Sequence, residues 1–237
     1  MDSTVLVITP VKDSIDTTLD TAKAIAESRV PHHHIIFNDF SSDESTKELE
    51  SNKGKIGYEL INLAEITDTP SPNYKLVLQL SQKKALKMGV PLLVIESDVV
   101  VKPETISGLL DFTSKNEKSG LVGAVTVDEA GVVNFPYLKF KGRKEEVIRT
   151  ERSLSFCCTL FSSDFLQSFD FQELDDAKDW YDTFISKKSL ELGFENFVLM
   201  NSPVWHRPHG SRPWKQLKYK NPIKYYFLKY WKGLDKI

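Results

Sequence analysis

Short apolar runs alternate in the first half of the chain with segments whose apolar residues recur every three or four positions. The runs fit strands buried on both faces of a parallel sheet, at Val5–Ile8, Ile35–Phe37 and Leu92–Ile95, with another strand near Tyr58–Asn62. The longer segments predict amphipathic helices, one with the apolar positions Ile15, Leu19, Ala22 and Ala26, and one over Tyr74–Met88. Asp13 or Ser14 is available to cap the first, and Gly89 ends the second. Alternating strands and helices predict right-handed parallel crossovers.

The second half of the chain mixes both kinds of element, which predicts a mixed sheet. Pro103 fits the first turn of a helix that runs to about Asn116. A strand at Leu121–Val127 is expected to turn into a hairpin with Val132–Phe135. The charged segment 138–152 is expected to be mobile. The remaining predictions are a strand at Leu154–Phe161, a helix at Asp176–Leu192 and a strand at Phe197–Met200.

Length and composition indicate a soluble globular protein. The chain has 237 residues, of which 41% are hydrophobic and 27% charged, which is ordinary for a packed domain. No apolar run reaches the roughly 18 residues of a membrane-spanning helix, and the N-terminus does not have the pattern of a secretion signal. The adjacent Cys157 and Cys158 make no disulfide framework and are expected in the core, so a cytoplasmic location is predicted.

The stretch Leu92–Lys102 contains the clearest candidate chemistry. Its buried strand ends in Glu96-Ser97-Asp98, and ligands bind at the carboxyl ends of strands in open α/β sheets. Residues two apart in an extended chain point to the same side, so Glu96 and Asp98 can face one ligand. Such carboxylates repel each other unless a cation, sugar hydroxyls or hydrogen-bond donors satisfy them. The alternative is a solvated acidic turn.

Five segments in this order resemble the family-2 inverting glycosyltransferases with the GT-A fold. They are Val5–Asp13 (VLVITPVKD), Ile35–Thr46 (IIFNDFSSDEST), Leu92–Asp98 (LLVIESD), Leu154–Phe165 and Phe194–His206. The resemblance covers about residues 4–210 and depends on the order and spacing of the motifs. It implies an α/β GT-A (nucleotide-diphospho-sugar transferase) fold, with a Rossmann-like mixed sheet flanked by helices. Residues 1–211 would form the catalytic domain, and residues 212–237 a basic, aromatic tail.

The resemblance implies a nucleotide site after the first two strands. Pro10 and Asp13 match a proline turn after the first strand. Asp39 matches the acid that accepts a hydrogen bond from the base, within a segment that also includes Ser41, Asp43 and Thr46. Asn38 and Phe40 stand where the family usually has Asp and Gly, so the base preference stays open. The alternative is that Asp39 and Asp43 cap the following helix.

The resemblance also implies a divalent cation, Mn²⁺ or Mg²⁺, as cofactor. Asp98 would be a metal ligand and Glu96 would contact ribose or a metal-bound water, because a hard cation takes oxygen ligands and neutralises a departing diphosphate. His206 would be a third ligand or a diphosphate contact, and a packed, hydrogen-bonded histidine is the alternative. Arg207, with His209 and Arg212, would hold the pyrophosphate. Leu80-Ser81 stands where the family often has Arg-Asn.

The resemblance implies a general base near the start of the helix that ends at Gly193, with His206 thirteen residues beyond this glycine. That spacing aligns the family's Glu-Asp pair with Tyr181-Asp182, so Asp182 would take the proton of the acceptor hydroxyl. Asp179, one turn earlier, is the competing candidate. In contrast, the run His32–His34 is not expected to bind a metal, because neighbours along a strand point to opposite faces.

The implied function is transfer of a sugar from a nucleotide-diphosphate donor to a hydroxyl of a glycan or lipid-linked acceptor, in surface polysaccharide or glycolipid assembly. The alternative is a non-catalytic nucleotide-sugar or glycan-binding module with the same fold. A nucleotidyltransferase is disfavoured, because Thr9–Ser14 contains no glycine for a phosphate loop.

The tail is strongly basic, whereas residues 1–70 are acidic. Residues 206–237 contain nine Lys or Arg and one acid. Apolar residues follow helical spacing after Pro222, at Ile223, Tyr226, Phe227, Tyr230, Trp231 and Leu234. Such a helix either packs on the catalytic domain or lies against an anionic membrane, which would make the protein peripheral on the inner face. Nucleic acid is disfavoured as a partner because the rest of the chain is acidic.

Overall fold

The structure is a computed structural model that describes residues 4–175, 180–207 and 221–232. The strands are β1 (Leu6–Val11), β2 (His33–Asn38), β3 (Glu59–Asn62), β4 (Leu92–Ile95), β5 (Val99–Val100), β6 (Ser119–Val127), β7 (Val147–Arg149), β8 (Cys158–Phe161) and β9 (Glu195–His206). The helices are α1 (Ile15–Ala26), α2 (Asp43–Ile56), α3 (Tyr74–Met88), α4 (Thr105–Lys115), α5 (Ser163–Ser168), α6 (Tyr181–Glu191) and α7 (Pro222–Lys232). Short 3₁₀ turns occur at Leu63–Glu65, Leu138–Phe140 and Phe171–Glu173.

All strands belong to one mixed sheet, as the sequence predicts. The order is β3-β2-β1-β4-β8-β6-β9-β5, with β7 also paired to β9. The pairs β1–β2, β2–β3 and β1–β4 are parallel, and a helix follows each of β1 and β2 and precedes β4, as parallel connections require. Strand β8 is antiparallel to both β4 and β6. The carboxyl end of β4 therefore lies beside the start of β8.

Helices cover both faces of the sheet. On one face, residues of α3, α5 and α6, such as Val77, Phe165 and Ile185, pack with alternate strand residues in one buried cluster. On the other face, Ile25 of α1 and Ile106 of α4 pack with the intervening strand residues. Since both faces are buried, β4 and β6 are apolar along almost their whole length.

Two local predictions are wrong, and a third is confirmed only in part. Val132–Phe135 forms no strand of its own, but the chain turns back on β6 as predicted, with an antiparallel bridge between Val127 and Val133 and a hydrogen bond from the Asn134 N–H to the Thr126 carbonyl. Asp128 Oδ1 accepts from the backbone N–H groups of Ala130 and Val132 in the turn. The charged segment 138–152 contains β7, which is paired with β9. Neither predicted cap of α1 holds: Ser14 makes no side-chain cap hydrogen bond, and Asp13 bonds to Ser42 instead.

The chain divides into two compact units, Met1–Arg207 and Pro208–Ile237. The described part of the second unit is α7, whose Ile223, Tyr226, Phe227 and Trp231 side chains are exposed. The rings of Phe227 and Trp231, one turn apart, stack at 5.6 Å. The boundary predicted between residues 211 and 212 lies outside the described residues.

Candidate active site at the carboxyl edge of the sheet

Strand pairing places His206 beside Asp98, although the two residues are far apart in the sequence. Strand β5 pairs antiparallel with the end of β9, so that Val99 lies opposite His206. The backbone N–H of Arg207 donates to the carbonyl oxygen of Asp98 at 2.9 Å. As a result, Nε2 of His206 lies 3.5 Å from Oδ2 of Asp98, and both side chains are buried.

The tautomer of His206 follows from its second contact. Its Nδ1 lies 2.6 Å from the carbonyl oxygen of Phe135, and because a carbonyl only accepts hydrogen bonds, Nδ1 is the protonated nitrogen. Nε2 is therefore the atom that faces the carboxylate. Burial opposes protonation of this imidazole, but the hydrogen bond to Asp98 and the nearby acidic charges outweigh it and raise the pKa of His206.

Cys157 joins the same group through the pairing of β4 with β8. Ile95 lies opposite Cys158, and the backbone N–H of Glu96 donates to the carbonyl oxygen of Cys157 at 3.0 Å. The thiol of Cys157 donates to Oε2 of Glu96 at 3.1 Å and lies 3.9 Å from Nε2 of His206. Both cysteines are buried as predicted, but the Cys157 thiol faces the candidate site, which the sequence analysis missed.

The pKa of the Glu96 carboxyl group differs strongly from its usual value. Burial, followed by the negative charge of Asp98, raises the pKa of Glu96 to about 7. Burial, followed by the charge of Glu96, raises the pKa of the Cys157 thiol well above its usual value. At neutral pH the thiol is thus a neutral donor, and the raised pKa of Glu96 leaves its protonated and charged forms both populated.

Asp182 lies at the start of α6, where its Oδ1 accepts from the backbone N–H of Thr183 at 2.7 Å. Its charge contributes to the raised pKa of both Glu96 and Tyr74, after burial as the main cause for each. The residue before it, Tyr181, stacks on Tyr74, and Tyr74 stacks on Phe156, the residue before Cys157. The competing candidate, Asp179, lies outside the described residues.

Tyr74, the first residue of α3, is a further polar group at this place. Its ring stacks between Phe156 and Tyr181, at centroid distances of 6.3 and 6.4 Å. Its hydroxyl is buried and has no hydrogen-bond partner in the described part of the chain. A buried hydroxyl without a partner is costly, so it is available to a ligand. In the sequence Tyr74 only marks the start of a predicted amphipathic helix, and nothing there indicates a hydroxyl without a partner.

Asp13 and Asp39 lie in the loops after β1 and β2, and Pro10 lies within β1. Asp13 Oδ1 accepts from the backbone N–H of Ser42 at 2.7 Å, which ties the two loops together. Asp39 is buried and accepts three hydrogen bonds, from the Ser71 hydroxyl at 2.7 Å and from the backbone and side-chain N–H groups of Asn73 at 2.9 and 2.8 Å. These contacts fix the start of α3. Capping of α2 is performed by Ser42.

Two departures from the family pattern have structural consequences. Phe40, where the family usually has Gly, has a φ of 58°, the left-handed conformation for which glycine is preferred. Leu80 packs against the core, and the Ser81 hydroxyl donates to the carbonyl of Val77. Neither Leu80 nor Ser81 supplies a positive charge for a phosphate.

Arg207 extends away from the carboxylates, because neighbouring strand residues alternate in direction. Its Nη2 donates to Oδ2 of Asp20 in α1 at 3.0 Å, and its guanidinium lies 4.9 Å from the centre of the Trp205 ring. The other predicted cationic residues, His209 and Arg212, lie outside the described residues. The three histidines of the run His32–His34 have three separate partners, the Val30 carbonyl, Glu59 and Thr9.

Solved structures with a similar architecture are glycosyltransferases. S. aureus TarS (residues 1–349) aligns with 85% of this chain and 60% of its own, at 17% identity and a TM-score of 0.64. The mannosyltransferase PcManGT of Pyrobaculum calidifontis, in complex with GDP-Man and Mn²⁺, aligns with 95% of this chain and 63% of its own. Its sequence identity is 11% and its TM-score is 0.66. GalNAc-T7 with UDP, GalNAc and Mn²⁺ aligns with 86% of this chain and 44% of its own, at 15% identity and a TM-score of 0.64.

The chain has the GT-A fold. The predicted fold class is thereby confirmed. No protein-family model and no curated protein matches the sequence. The chain spans about 60% of the length of the first two matched structures. Within the described residues, no helix is both long and apolar enough to cross a membrane.

In this GT-A domain the donor atoms suit a divalent cation. Asp98 and Glu96 provide carboxylate oxygens, and His206 presents Nε2 because Nδ1 is fixed by the Phe135 carbonyl. A hydrogen bond from the ring nitrogen that does not face the metal is typical of metal-binding histidines, since it orients the ring and sets the tautomer. The residues present therefore fit the kind of cation seen with two of the similar structures.

Proposed function

We propose that this chain is an inverting glycosyltransferase that moves a sugar from a nucleotide-diphosphate donor to a hydroxyl of a glycan or lipid-linked acceptor, in surface polysaccharide or glycolipid assembly. The main support is the convergence of Glu96, Asp98 and His206 at the carboxyl edge of a GT-A sheet, with the charge of Asp182 acting on Glu96. Ligands bind at this edge in open α/β sheets. The similar structures were solved with UDP-GlcNAc, GDP-Man and UDP, which supports a nucleotide-sugar donor.

In this proposal the nucleotide binds over the loops after β1 and β2. Pro10 and the Asp13–Ser42 hydrogen bond shape the first part of that surface. Asp39 uses three of the roughly four lone-pair positions of a carboxylate for Ser71 and Asn73. One position remains to accept an N–H of the base, and hydrogen bonds already connect the loops around it.

The diphosphate of the donor binds near Asp98. Asp98 and His206 are the proposed ligands of a divalent cation, Mn²⁺ or Mg²⁺, and Glu96 contacts the ribose or a cation-bound water. When bound, such a cation neutralises charge on the departing diphosphate. Arg207 now extends away from Asp98, so it would contact the diphosphate only after its guanidinium leaves Asp20 and turns towards the carboxylates.

Asp182 is the proposed general base. It takes the proton of the acceptor hydroxyl while that oxygen forms a bond to the anomeric carbon, and the bond from this carbon to the diphosphate oxygen breaks with its electron pair. A single displacement of this kind inverts the anomeric configuration.

The helix α7 is proposed to lie in the plane of an anionic membrane surface. Its exposed Ile223, Phe227 and Trp231 are the apolar and aromatic groups that favour the headgroup level, and Lys224 is exposed among them. Each lysine near such a surface contributes roughly 1 kcal/mol. Sedimentation with anionic and neutral vesicles tests this. The full chain should bind anionic vesicles, and a chain ending at Arg212 should not.

The direct test of the proposed activity is a donor screen. UDP-, GDP- and dTDP-sugars are added to the full chain with and without Mn²⁺, and thermal shift and hydrolysis are measured. At least one donor should raise Tm and be hydrolysed in the presence of the cation. Binding without turnover would indicate a nucleotide-sugar-binding module instead, and absence of binding by every donor class would contradict the proposal.

A further inference from the structure

The Cys157 thiol is a donor group that the proposed glycosyl transfer does not use. One ligand atom each from Glu96, Cys157 and His206 lie within 4.8 Å of one another. The thiol is 3.1 Å from Glu96 Oε2 and 3.9 Å from His206 Nε2. We propose that these three residues bind a thiophilic divalent cation such as Zn²⁺, which competes at this site with the oxygen-preferring Mn²⁺ or Mg²⁺.

The spacing of the three atoms suits a small tetrahedral site. With Zn–S bonds of about 2.3 Å and Zn–N or Zn–O bonds of about 2.0–2.2 Å, neighbouring ligand atoms lie about 3.3–3.6 Å apart. The two observed separations lie on either side of this range. Closing the site requires the Cys157 Sγ to move a few tenths of an ångström towards Nε2 of His206 and away from Oε2 of Glu96, which small side-chain rotations of Cys157 and Glu96 would achieve. A fourth position remains for Asp98, water or a phosphate oxygen.

The donor chemistry selects among cations. A thiolate, an imidazole and a carboxylate suit Zn²⁺, whereas Mg²⁺ and Mn²⁺ prefer oxygen ligands. His206 is already oriented for coordination, because its Nδ1 is bonded to the Phe135 carbonyl and its Nε2 faces the thiol and Asp98. On binding, the thiol loses its proton to solvent, and the charge of the cation replaces that proton as the partner of the neighbouring carboxylates.

The competing explanation is that the thiol serves only as a hydrogen-bond donor to Glu96. In that case its removal would affect the packing around Glu96, but would not discriminate between soft and hard cations. The chain offers a matched control for this distinction, because Cys158 is the next residue, is also buried, and packs among apolar strand residues. The sequence has two cysteines in all, so replacing Cys158 leaves Cys157 as the single thiol.

This inference concerns the site of the proposed function and names a cation that would regulate it, so the test measures cation binding rather than turnover. Co²⁺ is added to the full chain and to the Cys157→Ala and Cys158→Ala variants, and the thiolate-to-cobalt charge-transfer absorption is recorded. Zn²⁺ affinity is then measured by displacement of Co²⁺, and Mn²⁺ affinity is measured separately. Circular dichroism confirms that each variant is folded.

The wild type and Cys158→Ala should show the charge-transfer band, and Zn²⁺ should abolish it. Cys157→Ala should lose the band and bind Zn²⁺ at least about 10-fold more weakly than Cys158→Ala, while its Mn²⁺ affinity changes less than about threefold. A Cys158→Ala protein without the band would overturn the inference even if Cys157→Ala failed to fold. Equal Zn²⁺ affinity in the two variants would also overturn it. If no nucleotide sugar binds but the band is present, the proposed function fails and the cation site stands.

Discussion

Nε2 of His206 lies 3.5 Å from Oδ2 of Asp98, and the opposite nitrogen of the same ring is held at 2.6 Å by the carbonyl of Phe135. The imidazole is thus fixed from both sides by groups that come from separate parts of the chain. Because the Phe135 contact alone fixes the tautomer, a change at Asp98 removes charge without releasing the ring. This makes Asp98 and His206 a pair whose chemistry can be tested with little structural disturbance.

Replacing Asp182 with Asn should separate catalysis from binding. The amide keeps an oxygen to accept from Thr183 N–H but cannot act as a base, so turnover should fall by about 10²-fold or more with nearly unchanged donor affinity. Asp170→Asn is a matched control, since its Oδ1 also accepts a local backbone N–H, from Gln172. If Asp179→Asn has the large effect and Asp182→Asn does not, the assignment of the base is wrong.

Tyr74→Phe should lower activity without lowering stability. The Tyr74 hydroxyl has no partner within the described residues, so its removal should leave the free energy of unfolding unchanged or raise it by up to about 1 kcal/mol. If the hydroxyl binds substrate, donor affinity or turnover should fall about 3- to 10-fold, which corresponds to one hydrogen bond.

Tyr58→Phe is the control, because it should lower stability and leave activity unchanged. The Tyr58 hydroxyl donates to the carbonyl of Leu49 at 2.6 Å, so this variant should lose about 1 kcal/mol of stability and keep its activity. Urea unfolding and donor hydrolysis measured on both variants check the pair. A Tyr74→Phe protein with wild-type kinetics would show that the hydroxyl has no role with substrate.

His34 should make the fold sensitive to acid. Burial, with some repulsion from His32 and His33, lowers the pKa of His34 to about 3, compared with about 6.5 in an unfolded chain. Between these values the unfolded state binds one more proton, so stability is complete above about pH 6.5 and falls as the pH decreases, by about 1.4 kcal/mol per unit.

The measurement is urea unfolding at pH 7 and pH 5. His34→Gln, whose amide can keep the contact with the Thr9 hydroxyl, should reduce the difference in unfolding free energy between these pH values by about 2 kcal/mol. His32→Gln should leave it as in the wild type. If the difference in unfolding free energy between pH 7 and pH 5 were the same in His34→Gln as in the wild type, His34 would not be the source of the acid sensitivity.

Asp20→Asn tests whether Arg207 contacts the donor. Asp20 is the observed partner of the guanidinium, at 3.0 Å, and ion pairs of this exposure contribute about 0–1 kcal/mol. Neutralising Asp20 should therefore raise donor affinity by up to about fivefold, while Asp16→Asn on the same helix should not. If neither Asp20→Asn nor Arg207→Gln changes donor affinity, Arg207 is a structural residue.

The elements of the first half follow from the sequence because one signal dominates there. Strands β1, β2 and β4 are buried on both faces, so they are short apolar runs, and Gly89 ends α3 in the left-handed conformation with a φ of 67°. Strand β9 is harder to predict. It continues beyond Met200 through Asn201-Ser202-Pro203, where its register with β6 shifts, and these residues have no preference for strands.

The candidate site was predictable where side chains alone define it. Glu96 and Asp98 follow a buried strand, so their place at the edge of the sheet could be inferred. The place of Cys157 depends on the register between β4 and β8, which is a tertiary property. The contact of Phe135 with His206 uses a backbone carbonyl, for which no residue type is diagnostic. Tyr74 lies on a helix whose apolar spacing gave no indication of an unpaired hydroxyl.

A divalent cation and a nucleotide sugar are proposed to bind together at Asp98. Isothermal titration of the donor identified in the screen, with and without Mn²⁺, into the wild type and Asp98→Asn tests it most directly, with Asp111→Asn on α4 as control. The wild type and the control should bind the donor more tightly with the cation. Asp98→Asn should bind it more weakly and with no dependence on Mn²⁺, because the ligand charge is lost with little change in shape. Equal, cation-dependent affinity in Asp98→Asn would contradict the account.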